Sequence, residues 1–360
     1  MAPQPPPDLQ IPLSTSTVHV QIINTTAHIT DFPMSLMVYP VVKGHESLSA
    51  PVYSFLITHP SSNRKVVFDL GVRPDWQNLA PRVVRSVSQW TVKAEKGVKE
   101  ILENEDIKTD EIEAVVWSHH HWDHVGDVST FSKKTKLIVG PGFKKEFLPG
   151  YPANAESLIL ESDYEGREVE ELSFSDSPLK IGRFPAIDYF ADGSFYLLDA
   201  PGHTVGHICG LARVSSQPDS YVFMGADSCH HGGEFRPSQY LPFPESISPH
   251  PLLQNSTAPC PGAMFSHLLR DNDFEKPFYS IRKPDGTAPG AVDADVAEQT
   301  IEKVQEVDVD ERILVVMAHD ESLLEIVDFF PAYADDFVKK DWVKKARWAF
   351  LKDFGGATSS

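Results

Sequence analysis

The chain has 360 residues, 41% of them hydrophobic, and a formal net charge of −19. This length and apolar content suffice for a buried core and exclude an intrinsically disordered protein. The acidic balance argues against a nucleic-acid backbone or an anionic membrane surface as the main partner, because both select for basic patches.

The cysteine content and the first residues predict a cytoplasmic protein. Three cysteines are too few for a disulfide framework: Cys209, Cys229 and Cys260. The opening MAPQPPPDLQIPLS lacks the basic and apolar regions of a signal peptide. No apolar run reaches the roughly 18 residues of a membrane span, so we expect no membrane partner. The sequence indicates no particular oligomeric state.

Proline content and hydrophobic periodicity divide the chain into three parts. Residues 1–17 are expected to form a disordered tail, because they begin with a proline-rich stretch. Residues 18–350 are expected to form a single domain with a long loop at about 230–290, rich in Pro, His and aromatic residues. Loops of this length are often lids or binding loops. Residues 351–360 are expected to be a flexible C-terminus.

The first half of the domain reads as a series of strands with one helix. Apolar side chains at helical spacing predict a helix over 92–105. β-branched or alternating apolar runs predict strands at 18–23, 35–42, 52–57, 65–71, 112–117 and 136–140. The strand at 112–117 runs directly into SHHHWDHVGD, residues 118–127, so this histidine-rich segment lies where a core strand ends and a loop begins.

The pattern of strands resumes after residue 180, which fits two sheets of one sandwich. Strands are predicted at 194–202, 208–214, 221–227 and 312–320. A helix is predicted over 293–307, with Asp293 as its N-cap and an apolar face that includes Ile301 and Val304. Two helical patterns, at 321–330 and 333–347, close the chain.

Spacing within SHHHWDHVGD separates candidate metal ligands from their neighbours. Alternate side chains of an extended segment share a face, so His119, His121 and Asp123 point the same way while His120 points elsewhere. The chain must then turn, which brings His124 to the same side as Asp123. Zinc-type sites need several nitrogen or oxygen donors that converge on one point, and this H-x-H-x-D-H pattern offers them.

Further donors follow three later apolar runs. His203 comes after a strand that ends in Asp199, Asp227 ends the run YVFMGAD, and His319 ends ILVVMAH. Three separate elements that each deliver one ligand-type side chain indicate a shared metal centre rather than a solvated histidine-rich loop. Asp69 and Asp199 are candidates for orienting ligand histidines through the second ring nitrogen.

Together these residues resemble the metallo-β-lactamase superfamily. The resemblance rests on the H-x-H-x-D-H segment followed in order by His203, Asp227 and His319, with Asp69 of VVFDLG at the family's early strand-end aspartate. It covers roughly residues 18–330. It implies an α/β fold, an αββα sandwich of two mixed β-sheets flanked by helices, with the site at the edge between the sheets. It also implies the ligands of two metal ions: His119, His121 and His203 for the first, Asp123, His124 and His319 for the second, and Asp227 as the bridge.

A complete two-metal ligand set implies hydrolysis within this family. We expect two divalent ions, with Zn²⁺ favoured and Mn²⁺, Fe²⁺ or Co²⁺ also compatible with nitrogen and oxygen ligands. A water held between them would attack a lactone, lactam or related ester bond of a small molecule. This expectation follows the lactonase-like members, which include acyl-homoserine lactonases and fungal lactone or lactam hydrolases. Asp123, besides binding metal, would pass a proton to the leaving group.

The residue three positions after the bridging aspartate departs from the lactonase pattern. The lactonases that this chain resembles have a substrate-contacting tyrosine there, whereas this chain has His230. His230 is therefore predicted to be catalytic, taking over a hydrogen bond to the substrate, and acyl-homoserine lactones become less fitting substrates. Four aromatic residues of the long loop are candidates to line an apolar pocket over the metals: Phe235, Tyr240, Phe243 and Phe265.

Two alternatives stay open at this point. A thioesterase, of the glyoxalase II or polyketide acyl-thioester type, would use the same metal set. A non-catalytic, metal-binding regulatory protein would be indicated by the loss of a ligand, yet all seven are present. Of the residues beside His230, we expect Cys229 to be packed and His231 to have no role.

Overall fold

The computed structural model describes residues 3–175, 177–253, 256–282, 285–286 and 290–358 and contains two mixed β-sheets. Seven strands form the first sheet: β1 (His19–Pro33), β2 (Ser47–His59), β3 (Arg64–Phe68), β4 (Thr91–Lys93), β5 (Ile112–Val116), β6 (Lys136–Val139) and β7 (Val169–Glu171). Their order across the sheet is β4-β1-β2-β3-β5-β6-β7. Neighbours from β4 to β3 are antiparallel, whereas β3, β5, β6 and β7 run parallel.

The second sheet begins after residue 171, which confirms the predicted division of the strands near residue 180. Its strands are β8 (Lys180–Ile181), β9 (Phe184–Asp188), β10 (Phe195–Asp199), β11 (Ile208–Ser216), β12 (Asp219–Ala226) and β15 (Ile313–Met317); β13 (Ser246–Ile247) and β14 (Cys260–Pro261) form a separate pair. Neighbours are antiparallel except β12 and β15, which are parallel.

Alternation of side chains along the strands builds the layers of the fold. In β3, Val66 and Phe68 face the layer between the sheets, while Val67 faces the opposite side. In β10, Phe195 and Leu197 enter the same central layer from the second sheet. The sheets therefore pack face to face through apolar side chains, which is the dominant source of stability in such a sandwich.

Helices cover both outer faces of the sandwich. They are α1 (Pro81–Val87), α2 (Val98–Glu103), α3 (Trp122–Val125), α4 (Phe143–Phe147), α5 (Glu161–Tyr164), α6 (Ala294–Asp308), α7 (Trp342–Ala346) and α8 (Gly355–Thr358). Side chains of α2, α3 and α4 pack on the first sheet, and α6 packs on the second. Asp293 caps α6 by accepting a hydrogen bond from the Val296 backbone N–H (3.1 Å), as predicted. The αββα sandwich is thus confirmed. None of the described helices is long and apolar enough to cross a bilayer.

Two of the elements predicted in the first half of the domain are wrong in whole or in part. Residues 35–42 form no strand: a short 3-10 helix ends at Leu36, and only Tyr39 pairs, with Ser280. Pro40 has no N–H to donate to a ladder, which explains the loss of the strand. The helix predicted over 92–105 is divided at Gly97 into β4 and α2.

The last predicted helix is shorter than its periodicity suggests. Residues 333–347 contain only the five residues of α7. Asp341, directly before α7, has a φ of +56°, a left-handed conformation in which a right-handed helix cannot continue. The preceding pattern at 321–330 becomes a 3-10 helix that ends at Glu325.

The segments outside the sandwich pack on it. Residues 3–17 have no regular secondary structure, yet Leu9 is buried and its carbonyl accepts from the Gly182 N–H (2.6 Å). Aromatic residues of the long loop pack against the C-terminal segment, where Phe350 and Phe354 are buried. The predicted boundaries at residues 17 and 350 remain predictions.

Candidate metal centre

Strands of both sheets end at one edge and deliver the polar side chains there. The first sheet supplies SHHHWDHVGD after β5 and Asp69 after β3. The second supplies His203 after β10, Asp227 after β12 and His319 after β15. At the last residue of β12, Ala226 has a φ of +45°, which is strained for a residue with a Cβ and turns the chain sharply into Asp227.

The seven predicted ligands come together as two adjoining groups. Within each group, one nitrogen or oxygen atom per residue lies within 4.8 Å of the corresponding atom of every other member. The first group is His119, His121, His203 and Asp227, and the second is Asp123, His124 and His319. Asp123 approaches His319 at 3.5 Å, from Oδ2 to Nε2.

Asp227 stands between the two groups, and each of its oxygens faces one of them. Oδ2 lies 3.6 Å from His119 Nε2 and 3.4 Å from His203 Nε2. Oδ1 lies 3.0 Å from His124 Nε2 and 3.2 Å from His319 Nε2. This is the position required of a carboxylate that bridges two cations.

In most of these imidazole rings, the nitrogen that faces away from the centre lies close to an oxygen atom. Four Nδ1 atoms lie within hydrogen-bond distance of an oxygen: His119 to Ser118 Oγ (2.9 Å), His124 to Asp69 Oδ2 (2.8 Å), His203 to Gly290 O (2.9 Å) and His319 to Pro51 O (3.0 Å). A proton on Nδ1 leaves the Nε2 lone pair free to face the centre. His121 is the exception, because its Nδ1 faces the centre, 3.0 Å from His203 Nε2.

Asp69 orients the motif, as the sequence suggested, and Ser118 assists it. Asp69 accepts hydrogen bonds from the Ser118 N–H and hydroxyl, both at 2.7 Å, as well as from His124. Because the Ser118 hydroxyl donates to Asp69, its lone pairs are free to accept from His119. Asp199, the other candidate for orienting a ligand histidine, does not have this role. Among the described residues it makes no hydrogen bond to a histidine of the site.

Burial and the carboxylates set the protonation of the histidines. Burial lowers the pKa of His119 and His203 well below the usual value, and neighbouring histidines lower both further. Both are therefore neutral, which is the form that binds metal. Burial also opposes a charge on His124, but Asp227 and Asp69 outweigh it and raise the pKa of His124 well above the usual value.

Several nitrogen and oxygen atoms of the centre have no hydrogen-bond partner within the part of the protein that the structure describes. Four buried atoms have no hydrogen-bond partner in the described part of the chain: His119 Nε2, His124 Nε2, Asp227 Oδ1 and His230 Nε2. Within that part, no lysine or arginine forms an ion pair with Asp123 or Asp227. Buried polar atoms are normally satisfied, and buried carboxylates are normally paired or bound to metal. The residues present therefore fit two divalent cations.

His207, for which the sequence predicted no role, holds the backbone of Asp227. Its Nδ1 lies 2.9 Å from Ala200 O, so Nδ1 carries the proton, and its Nε2 accepts from the Asp227 N–H at 3.1 Å. Burial lowers the pKa of His207 to about 4, which keeps it neutral. The only signal was its place in DAPGHTVGH, four residues after His203.

His230 also reaches the centre. Its Nε2 is 3.4 Å from Asp227 Oδ2, and its side chain is buried. The buried carboxylate of Glu234 accepts from the backbone N–H groups of His230 (2.5 Å) and His231 (2.9 Å). Glu234 Oε2 also lies 3.8 Å from His230 Nδ1. Glu234 thus fixes the turn that carries His230.

A cavity of about 500 Å³ opens on the centre and is largely apolar. Its walls come from the first sheet and its connections and from residues 290–292: Ile29, Phe32, Met37, Trp90, Trp122 and Val292 are among them. The four loop aromatics predicted to line this pocket do not line it. Three of them are buried in hydrophobic clusters instead: Phe235, Phe243 and Phe265.

His120 and Gly126 of the motif, and Cys229 in the segment after β12, have structural roles. His120 turns away from the donors and stacks on Phe147, with ring centroids 3.9 Å apart. Gly126 has a φ of +49°, and a Cβ there would collide with Leu70, so the turn requires glycine. Cys229 is buried, and burial raises the pKa of its thiol well above the usual value, which fits a packed cysteine.

Known proteins similar to this chain include proteins named gamma-lactamase, metallo-hydrolase and lactonase. Residues 50–225 match the family model described as the metallo-beta-lactamase superfamily. The gamma-lactamase FDB1 of Fusarium pseudograminearum is 43% identical over 357 residues, which cover 97% of this chain and 85% of that protein. The metallo-hydrolase mfmC of Annulohypoxylon moriforme is 44% identical over 358 residues, which cover 98% and 91%. A B. thuringiensis AiiA variant with N-decanoyl-L-homoserine bound shares the fold, with a TM-score of 0.57 and 16% identity over 88% of this chain and 99% of that one.

Proposed function

The chain belongs to the metallo-β-lactamase superfamily of hydrolases, and from that premise we propose that it uses two metal ions to open a lactam or lactone ring of a small molecule. The proposed ligands are His119, His121 and His203 for one ion and Asp123, His124 and His319 for the other, with Asp227 between them. The observation that carries the proposal is the placement of Asp227, one oxygen towards each group of donors.

Zinc is the proposed metal. Imidazole nitrogens and carboxylate oxygens are common zinc ligands, although the same donors accept Mn²⁺, Fe²⁺ and Co²⁺. Two such ions, when bound, supply a water of lowered pKa at neutral pH and polarise the carbonyl of the substrate. The histidine nitrogens and the Asp227 carboxylate would hold the ions, while Asp69 and Ser118 would keep the ligand rings in orientation.

Asp123 is the proposed proton carrier. It belongs to the donor cluster and also lines the substrate pocket, so its carboxylate can face both the metal-bound water and the substrate. A carboxylate in that position can take a proton from the attacking water and return it to the leaving group. In a lactam this matters most, because an amide nitrogen leaves poorly unless it is protonated.

His230 is the proposed contact to the substrate. It also lines the pocket, and its Nε2 has no hydrogen-bond partner among the described residues. An N–H at this position would donate to the substrate carbonyl and stabilise the negative charge that develops on its oxygen. Glu234, by fixing the backbone on both sides of His230, holds this donor in place.

The walls of the pocket favour a compact apolar substrate. A volume of about 500 Å³ lies within the range of small-molecule sites. Arg82, at the pocket, is the only lysine or arginine among the described lining residues. We therefore propose a largely hydrophobic lactam or lactone, and the names of two relatives, both gamma-lactamases, support a γ-lactam as the first candidate.

The two alternatives are less well supported. The thioesterase is not favoured, since several relatives are named gamma-lactamase, metallo-hydrolase or lactonase. A regulatory protein without catalysis would not need the complete donor set that is present. The cytoplasm remains the predicted compartment.

A substrate panel tests the proposal. The purified, metal-loaded protein is assayed against γ-lactams, lactones, simple esters and thioesters, with liquid chromatography to detect ring-opened acids. We expect hydrolysis of at least one lactam or lactone and little hydrolysis of thioesters. Hydrolysis restricted to thioesters would replace the proposed substrate class. A protein that holds two metals and leaves every member of the panel intact would contradict the hydrolase proposal.

A further inference from the structure

A second cavity touches the metal centre from another side; we call it the polar cavity. Its volume is about 260 Å³, and it shares Leu48, His230 and His319 with the substrate pocket. Its remaining walls are mostly polar: Gly44, His45, Ser47, Ser49, His231, Asp320, Glu321 and Asp353. No lysine or arginine is among its described lining residues. A partly enclosed space with carboxylates and imidazoles but no basic side chain favours a cation.

Three potential donors meet in this cavity, and none belongs to the seven ligands of the main centre. His45, His231 and Asp353 each offer an atom within 4.8 Å of the others. They come from three distant parts of the chain: the segment before β2, the turn after β12 and the C-terminal segment. Both histidines are buried, and Asp353 is mostly buried.

His45 is prepared to bind a metal through one nitrogen. Its Nδ1 lies 2.8 Å from the Tyr279 hydroxyl, and with the ring proton on Nδ1, donated to the phenol oxygen, the Nε2 lone pair is free to bind a metal. Burial lowers the pKa of His45 to about 4, and the nearby His231 acts in the same direction. The ring is therefore neutral near pH 7, as a metal ligand must be.

The sequence predicted no role for His231, whereas its hydrogen bonds give it a positioning role that differs from the role of His45. The Gly233 N–H donates to His231 Nδ1 at 3.0 Å, so the ring proton resides on Nε2. That Nε2–H donates to Asp353 Oδ2 at 3.2 Å. A protonated Nε2 cannot bind a metal, so His231 orients the carboxylate of Asp353 and leaves the other carboxylate oxygen for a cation.

We propose that His45 and Asp353 form a third site for a divalent cation of the zinc class, in the polar cavity and separate from the two-metal centre. Water in the cavity would complete the coordination. Resident zinc sites have three or four protein ligands, and a site with two binds more weakly and exchanges faster. The proposal goes beyond the hydrolase function and does not depend on which substrate the protein opens.

Equilibrium dialysis of the zinc-loaded protein against increasing free zinc tests the site, with bound zinc per chain measured by elemental mass spectrometry. We expect the wild type to take up one further equivalent at higher free zinc. His45→Ala and Asp353→Asn should each lose this weak equivalent and keep the tightly bound zinc. Asp353→Asn retains an oxygen that accepts from His231, so it provides the test even where His45→Ala fails to fold.

A matched control addresses binding to surface histidines. His267 is exposed and lies outside the cluster, so His267→Ala should keep the weak equivalent. The proposal is overturned if the wild type takes up no weak equivalent, or if both variants of the polar cavity retain it. The result is the difference in bound zinc per chain between wild type and variant. It therefore does not depend on the number of metals in the main centre.

Discussion

Two clusters of ionisable side chains lie beside the short helix α3, one buried and one partly exposed, and their carboxylates are compensated in opposite ways. The donor cluster consists of the seven proposed ligands. The arginine cluster consists of Arg73, Asp75, Asp127, Asp163 and Arg167. SHHHWDHVGD contributes to both, through four ligands to the first and through Asp127 to the second.

In the arginine cluster the protein itself supplies a positive charge for Asp75 and Asp127. Arg73 pairs with Asp75 at 2.7 Å and with Asp127 at 3.1 Å. Arg167 donates to the carbonyls of Val128 (2.7 Å) and Thr135 (2.8 Å). In the donor cluster, by contrast, the described residues include no such arginine or lysine. The comparison teaches that acidic residues beside histidines indicate a metal site only where the chain leaves their charge uncompensated.

Replacement of Asp227 should have the largest effect on metal content and activity. It also distinguishes the donor cluster most clearly from the arginine cluster. In Asp227→Ala both groups of donors lose their shared carboxylate, so metal content and activity should fall together, activity by at least about 1000-fold. Elemental analysis and a ring-opening assay check this. Asp199→Asn, a strand-end aspartate outside the donor cluster, is the control and should keep both properties. Full two-metal occupancy in Asp227→Ala would contradict the bridging role.

Replacement of His230 should lower activity without removing metal. His230→Leu removes the proposed hydrogen bond to the developing oxyanion, a loss of about 100-fold in kcat/KM. His230→Gln keeps an N–H donor and should recover part of this loss. Steady-state kinetics with metal analysis of each variant checks the prediction. If His230→Leu lost metal instead, His230 would be a ligand rather than a substrate contact.

Replacement of Asp69 should have a smaller effect, because this residue acts only through His124 and Ser118. Asp69→Asn keeps the shape of the side chain but weakens the hold on His124 Nδ1–H, and a loss of about 10- to 100-fold in metal affinity is expected. Competition with a chelator measures the affinity. An unchanged affinity would show that the orientation of His124 does not depend on the carboxylate charge.

Asp163 tests the arginine cluster, and its replacement should leave activity unchanged. Burial raises the pKa of Asp163 to about 7, from an ordinary value of 3.8. The folded state therefore favours the protonated form, and the stability that this form contributes is lost as pH rises from about 4 through 7. Asp163→Asn is neutral throughout. The free energy of unfolding of the wild type, relative to this variant, should fall over that range by up to about 4 kcal/mol.

Denaturant unfolding of both proteins at a series of pH values measures this difference. A difference that does not change with pH would mean that Asp163 titrates normally and that the two arginines compensate it fully.

The sequence predicted the parts of the site that follow regular elements. Strands with apolar runs end where their ligands begin, so His203, Asp227 and His319 could be placed from the pattern alone. The orientation of Asp69 towards a ligand histidine could be anticipated for the same reason. The contribution of His207 could not, because its hydrogen bond to the Asp227 N–H depends on how two strands lie side by side.

The residues that line the pocket could not be predicted from the sequence, for a physical reason. Aromatic residues of a long loop can pack against any apolar surface that the fold leaves open, and periodicity does not identify that surface. Here Phe243 and Phe265 pack with Phe350 and Phe354 of the C-terminal segment. The substrate pocket is lined instead by side chains such as Phe32, at the end of β1.

The central claim is that ring opening requires two bound metal ions. Metal reconstitution tests this claim most directly. The protein is stripped with a chelator, zinc is added back in steps, and the ring-opening rate on a substrate found in the panel is followed with bound zinc per chain. We predict no activity in the stripped protein and a rate that rises until two tightly bound equivalents are present. A rate that is unaffected by stripping, or that is complete before the second equivalent binds, would contradict the account.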